Sequence, residues 1–196
     1  GREDEGGRER PYDIDGEELA RRAREAWDCG ATEVCLQGGI HPAYTGETYL
    51  QVLKTLRRSV PQLHIHAFSP LEVTHGAQTL GLSLRDYLQA LCDAGLSSLP
   101  GTAAEILVDR VRAKICPDKL SSDEWLEVMA TAHGLGLRST ATMMFGHVEE
   151  PRDWAEHLLK LRLLQEQTGG FTEFVPLPFV ARGAPMARRG ESRSGP

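Results

Sequence analysis

No two of the four cysteines stand close enough to make a C-x-x-C pair. Cys29, Cys35, Cys92 and Cys116 are scattered, which excludes the ligand spacing of a zinc ribbon and the framework of a small disulfide-rich domain. Reduced thiols are the natural reading. No apolar run approaches the ~20 residues of a membrane helix, and no signal-peptide core opens the chain. A basic excess is also missing. The net charge is −6 with both signs interspersed, whereas nucleic-acid binders carry a basic stripe. No G-x-G-x-x-G follows a strand-like run, so there is no dinucleotide fingerprint. The expectation is a protein of small-molecule chemistry, with neither nucleic acid nor membrane as partner. Its expected place is the cytoplasm, or an organelle if a transit peptide is missing.

At 196 residues the chain is long enough for one domain with its own core. It is short of the ~250 residues of a complete (β/α)8 barrel. Residues 1–10 hold only glycine and charged side chains and read as a mobile loop. Residues 181–196 carry four arginines and three glycines and read as a disordered tail. Between them, over 11–180, strand and helix patterns alternate.

Leu19, Ala23, Ala26 and Trp27 predict a helix from Gly16 to Cys29, stopped by Gly30. Leu50, Leu53, Leu56 and Val60 predict a second helix, ended by Pro61. A third begins at Ser83 and ends at Gly95; a fourth is opened by the Ser121/Glu124 capping box and closed by Gly134 or Gly136. A fifth begins at Pro151. Short strands are predicted over 33–37, 63–68, 96–99, 139–144 and 171–175. About five βα units imply an α/β fold with a parallel sheet, either a partial TIM-type barrel or a doubly wound sheet. In barrels the carboxyl ends of the strands hold the chemistry.

Several residues at these ends have two readings. Gln37, Gly38 and Gly39 make a tight βα turn, or let backbone approach a ligand and offer N–H groups to it. His64 and His66, two apart, share a face of one strand. They bind a metal with His41, His147 and Glu105, or they simply pack and hydrogen-bond. Glu105 accepts from a ribose or ammonium group, or it stabilises a helix N-terminus. Thr140, Thr142 and Met144 line a purine pocket, or they are ordinary barrel filling.

Taken together, the runs Cys35-Leu-Gln-Gly-Gly-Ile-His-Pro42, His64-Ile-His-Ala-Phe-Ser-Pro70, Pro100-Gly-Thr-Ala-Ala-Glu-Ile-Leu107, Met143-Met-Phe-Gly-His147 and Gly169-Gly-Phe-Thr-Glu-Phe-Val-Pro-Leu-Pro-Phe179 resemble the FO synthases. These are radical SAM enzymes of deazaflavin coenzyme biosynthesis. The likeness is to the tyrosine-using half, the 4-hydroxybenzyl transferase, and covers about residues 11–180. It implies a TIM-type barrel, partial or complete. It also implies S-adenosyl-L-methionine and a [4Fe-4S] cluster, the source of a 5′-deoxyadenosyl radical. The implied substrates are tyrosine and 5-amino-6-(ribitylamino)uracil, with a ring-closing FO synthase half as a partner. Carried over by position, Gln37, Gly38, Gly39, Ser69, Glu105, Thr142, Met144 and Gly146 fall to the cofactor. His64, His66 and His147 fall to the substrates.

The departure from that pattern is the cluster motif. No C-x3-C-x2-C occurs, and neither Cys29 nor Cys35 stands where the family places its cluster loop. The chain is therefore expected to be a fragment, from an incomplete or mis-spliced reading frame, and inactive alone. The alternatives are a metal-dependent barrel hydrolase or lyase using His41, His64, His66 and Glu105, and a non-catalytic remnant or subunit.

Overall fold

The computed structural model describes residues 14–182 and 184–193. The N-terminal loop expected over 1–10 lies outside them. The elements run in the order α1 (Gly16–Asp28), β1 (Glu33–Leu36), α2 (Gly46–Ser59), β2 (His64–Ala67), α3 (Pro70–Leu80), α4 (Leu84–Ala94), β3 (Ser98–Leu99), α5 (Asp109–Ile115), α6 (Ser122–Gly134), β4 (Arg138–Phe145), α7 (Pro151–Thr168), β5 (Phe171–Pro178) and α8 (Pro185–Arg188). The five strands form one sheet in sequential order, and every neighbouring pair is parallel. Strand-by-strand progression with helical crossovers is the order of a β/α barrel, not of a doubly wound sheet, whose strand order reverses.

Local chemistry explains the helix starts. Asp15 accepts from the Glu18 N–H, and Ser83 from the Asp86 N–H. Ser69/Glu72 and Ser121/Glu124 form reciprocal capping boxes at α3 and α6. Gly95 and Gly169 stop α4 and α7 in the left-handed conformation. Helices α3, α5 and α8 were not expected. The α3 sequence carries Gly76 and the β-branched Val73, Thr74 and Thr79, all weak helix formers. It gains by close packing instead, because a side-chain carbon at Gly76 would run into the Tyr87 ring. At seven residues α5 is too short to show a helical period.

Alternation divides the sheet into two faces. Ile65, Ala67, Leu99 and Ala141 lie in the core with Leu53, Leu56, Leu88, Leu91, Trp125 and Met129 from the helices. The opposite, inner face carries Glu33 and Cys35 of β1, His64 and His66 of β2, Ser98 of β3, and Thr140, Thr142 and Met144 of β4. Thr140, Thr142 and Met144 pair in register with Glu173, Val175 and Leu177 of β5, so these share that face. β5 runs three residues past its expected end and includes Pro176 and Pro178. It pairs only with β4 among the described residues, as suits a proline-bearing strand. Within the segment read as a disordered tail lies α8, and beyond it the Arg193 N–H donates to the His147 carbonyl.

Candidate functional site at the strand ends

Because all five strands run one way, the loops that follow them gather at one end of the sheet. The first two are stitched together by a residue that the sequence reading overlooked. Glu72, in the first turn of α3, is only 1% exposed. Its Oε1 accepts from the N–H groups of Gly38 (2.8 Å) and Gly39 (3.0 Å), and its Oε2 from the Ser69 N–H and hydroxyl (both 2.7 Å). Four donors on one buried carboxylate make a charge-assisted clamp. It has a consequence for the glycine turn. The N–H groups of Gly38 and Gly39 point at Glu72 and are not offered to a ligand. Gly39 has φ 68°, which favours glycine there. Ser69 likewise spends its hydroxyl on the cap. Gln37 remains exposed beside the clamp. The Ser-x-x-Glu spacing at 69–72 is the same signal that marks 121–124. What it could not reveal is the contact to glycines more than thirty residues away.

The loop after β3 is held against β4. Gly101 donates its N–H to Thr140 Oγ1 (2.8 Å), and Thr142 Oγ1 donates to the Gly101 carbonyl (2.5 Å). Thr142 thus serves the loop rather than an open pocket. Ala103 (φ 62°) and Glu105 (φ 45°) are both left-handed without being glycine. The buried Arg112 holds them by donating to the carbonyls of Ala103, Ala104 and Leu120. Glu105 pairs with Lys119 Nζ at 2.5 Å, and its carbonyl accepts from the Met144 N–H. It stabilises no helix N-terminus: α5 begins at Asp109, which instead accepts from the Ser122 N–H and hydroxyl.

At the end of β4, Gly146 turns the chain with φ 95°. Glu149, fully buried, accepts from the N–H groups of Gly146 and His147 and from the Trp154 indole. Burial alone would raise its carboxyl. The hydrogen bonds and neighbouring His147 outweigh that and hold it below its ordinary value. His147 is fully buried. Its Nδ1 lies 2.8 Å from both Glu149 Oε2 and the Val148 nitrogen, and its Nε2 3.0 Å from the Met144 carbonyl. Both ring nitrogens are engaged internally, so the ring has no atom to offer a substrate in this conformation.

His64 and His66 do share the inner face, and they converge on Ser98 of β3. Ser98 Oγ lies 2.8 Å from His64 Nε2 and 2.7 Å from His66 Nδ1. Burial lowers the His66 pKa; Glu33 and Glu173 oppose that, and His64 adds to it. His41 stays in its own loop, its Nδ1 accepting from the Ala43 N–H and its ring against Tyr44. Among the described residues no three His, Cys, Asp or Glu side chains are placed to hold a metal ion. The set His41, His64, His66 and Glu105 is therefore not assembled, and the metal-dependent hydrolase alternative has no support.

The cysteines do not fit an iron–sulfur cluster either. Cys29 follows α1, Cys35 lies on the inner face, Cys92 in α4 and Cys116 after α5. Burial raises the thiols of Cys35, Cys92 and Cys116, which disfavours the thiolate a cluster needs. A groove of about 270 Å³ between α7 and β5, lined by Leu158, Leu161, Phe171 and Phe174, lies on the helix side of the sheet and away from the strand-end loops. No helix among the described residues is long and apolar enough to cross a membrane.

Known proteins resemble this chain in sequence. Over 94% of its length the chain is 52% identical to the 5-amino-6-(D-ribitylamino)uracil–L-tyrosine 4-hydroxyphenyl transferase of Methanopyrus kandleri, and it covers 50% of that protein. Over 94% of its length it is also 52% identical to the FO synthase of Streptomyces avermitilis and 50% identical to that of Mycobacterium tuberculosis, covering 22% of each. The chain thus spans half the length of the transferase and about a fifth of the synthases. Residues 2–161 match the Radical SAM superfamily. With that match over most of its length, and a sequential parallel β/α sheet, the chain belongs to the radical SAM superfamily.

Proposed function

We propose that this chain is part of a transferase that moves the 4-hydroxybenzyl group of tyrosine onto 5-amino-6-(D-ribitylamino)uracil, on the route to FO. The observation that carries the reading is the 52% identity over 94% of the chain to the Methanopyrus kandleri transferase. The gathering of the strand-end motifs at one end of a parallel sheet supports it.

The family's cofactor, S-adenosylmethionine, supplies the radical that begins such a reaction. On this chain the exposed surface around Gln37, Gly38 and Gly39 would receive it, with the turn kept rigid by Glu72. Its other contacts would come from the loops around Glu105, Met144 and Gly146. Tyrosine and the uracil would occupy the inner face near His66. The iron–sulfur cluster has no ligand set among the residues of this chain. A ring-closing half is the expected functional partner. The four free cysteines favour a reducing, cytosol-like compartment.

A graft tests the reading. The chain replaces the matching half of the Methanopyrus kandleri enzyme, whose remaining half supplies the rest, and the product from tyrosine and the uracil is followed by mass spectrometry. Formation of the 4-hydroxybenzyl adduct is the expected result. A folded, cluster-loaded graft that makes none would contradict the proposal.

A further inference from the structure

A chain of polar side chains crosses the inner face. Ser98, largely buried, bridges two imidazoles, at 2.8 Å to His64 Nε2 and 2.7 Å to His66 Nδ1. A hydroxyl has one proton, so at most one ring can accept from it and the other must donate an N–H. The arrangement follows from the sheet register. His64 and His66 share a face of β2, and Ser98 of β3 sits in register with His66. His64 lies at the start of its strand and is exposed. His66 lies further along and is half-buried, and its Nε2 has no hydrogen-bond partner among the described residues. Glu33, in register with His64 on β1, places Oε2 3.6 Å from His64 Nε2. The other ionisable groups facing His66 are Cys35, its partner in register on β1, and Glu173 of β5.

We propose that His66, Ser98 and His64, with Glu33 at the outer end, form a proton relay from the middle of the inner face to solvent at the strand-start end of the sheet. The relay begins with His66 protonated on Nδ1 and bonded to Ser98, whose hydroxyl donates to His64 Nε2. A proton taken from a substrate arrives at His66 Nε2. The Nδ1 proton moves to Ser98 Oγ as the Ser98 proton moves to His64 Nε2. His66 and Ser98 end neutral, and His64 ends as an imidazolium beside the Glu33 carboxylate, from which water removes the proton. No bond other than those to hydrogen changes.

What the relay serves rests on the proposed transferase function. The 4-hydroxybenzyl group keeps its phenol proton, so the proton the relay would take is one from an amine of the uracil, in a site closed to water. Ser98 is thus a positioning residue, acting through the two rings.

The test has a readout independent of activity. The imidazole nitrogens of His64 and His66 are followed by ¹⁵N NMR across pH in the chain itself. His64→Gln is expected to move the His66 midpoint, because the two rings share Ser98. Ser98→Ala should shrink that dependence to the direct charge effect of His64, and Ser98→Thr restore it. In the graft, Ser98→Ala is expected to lower kcat by ~100-fold, with KM changed less than about twofold, and Ser98→Thr to recover most of it. A His66 midpoint indifferent to His64→Gln would overturn the relay, as would an unchanged kcat in Ser98→Ala. If the unaltered graft makes no product, the transferase reading fails, and the NMR coupling alone then decides the relay.

Discussion

Glu72→Gln keeps the shape of the clamp residue and removes its charge. The carboxylate accepts two bonds on each oxygen, from the Gly38 and Gly39 N–H groups on one side and from the Ser69 N–H and hydroxyl on the other. An amide can present oxygen to only one of these pairs. The other pair then faces an NH2 group, donor against donor, in a site 1% exposed. A hydrogen bond to a charged group contributes about 1.5–3 kcal/mol. Losing two at the lower figure destabilises the protein by about 3 kcal/mol, a large share of the ~5–15 kcal/mol that holds a domain folded. Urea unfolding followed by tryptophan fluorescence measures the global loss. Amide hydrogen exchange locates it, with exchange at Gly38 and Gly39, or at Ser69, faster by about 150-fold. Glu72→Asp, which keeps the charge but falls one methylene short, should lose less. A Glu72→Gln protein within about 0.5 kcal/mol of the original, with all three amides unchanged, would refute the clamp.

Three further outcomes follow from the packing. Gly101→Ala would put a carbon 2.5 Å from Ala141 Cα and the Thr140 carbonyl oxygen. Both are backbone and cannot step aside, so a loss of roughly 1–3 kcal/mol is expected in urea unfolding. Arg112→Met removes the donors that hold the carbonyls of Ala103, Ala104 and Leu120. It should cost ~3 kcal/mol and speed amide exchange at Met144, whose N–H donates to Glu105 in that loop. His157 is fully buried, its Nδ1 accepting from the Leu107 N–H. Burial takes its pKa from 6.5 down to about 4. The unfolded chain therefore binds a proton below pH 6.5 that the folded chain refuses until about 4. Stability present above 6.5 is lost across that window, by up to about 3 kcal/mol. His157→Gln should flatten that part of a stability–pH curve, and an unchanged curve would contradict the assignment.

How legible the molecule was depended on whether a feature was local. The helix starts at Ser83, Ser121 and Pro151 and the helical stripes of α1 and α2 were readable because each signal sits within one or two turns of chain. The parallel sheet followed from the alternation of those helices with strand-like runs, and the parallel pairing of β1 to β5 bears it out. α3 and α5 were hidden, one by poor helix formers held through packing against Tyr87 and one by shortness. At the site, the shared face of His64 and His66 was legible from their spacing of two. Their meeting at Ser98 was not, because it depends on the register between β2 and β3. Gly38 and Gly39 were open to two readings, a tight turn or donors to a ligand. The acceptor that takes them comes from the first turn of a helix that was not expected at all. The burial of His147 depends on Glu149 and on the bend at Gly146, contacts that composition does not reveal.

The transfer itself gives the most direct test. Uniformly ¹³C-labelled tyrosine is supplied with unlabelled uracil to the graft carrying this chain. The account predicts a uracil product bearing the label of the aromatic ring and benzylic carbon, without that of the α-carbon and carboxyl group. A uracil recovered without label from a folded, cluster-loaded protein, or one carrying the whole tyrosine skeleton, would contradict it.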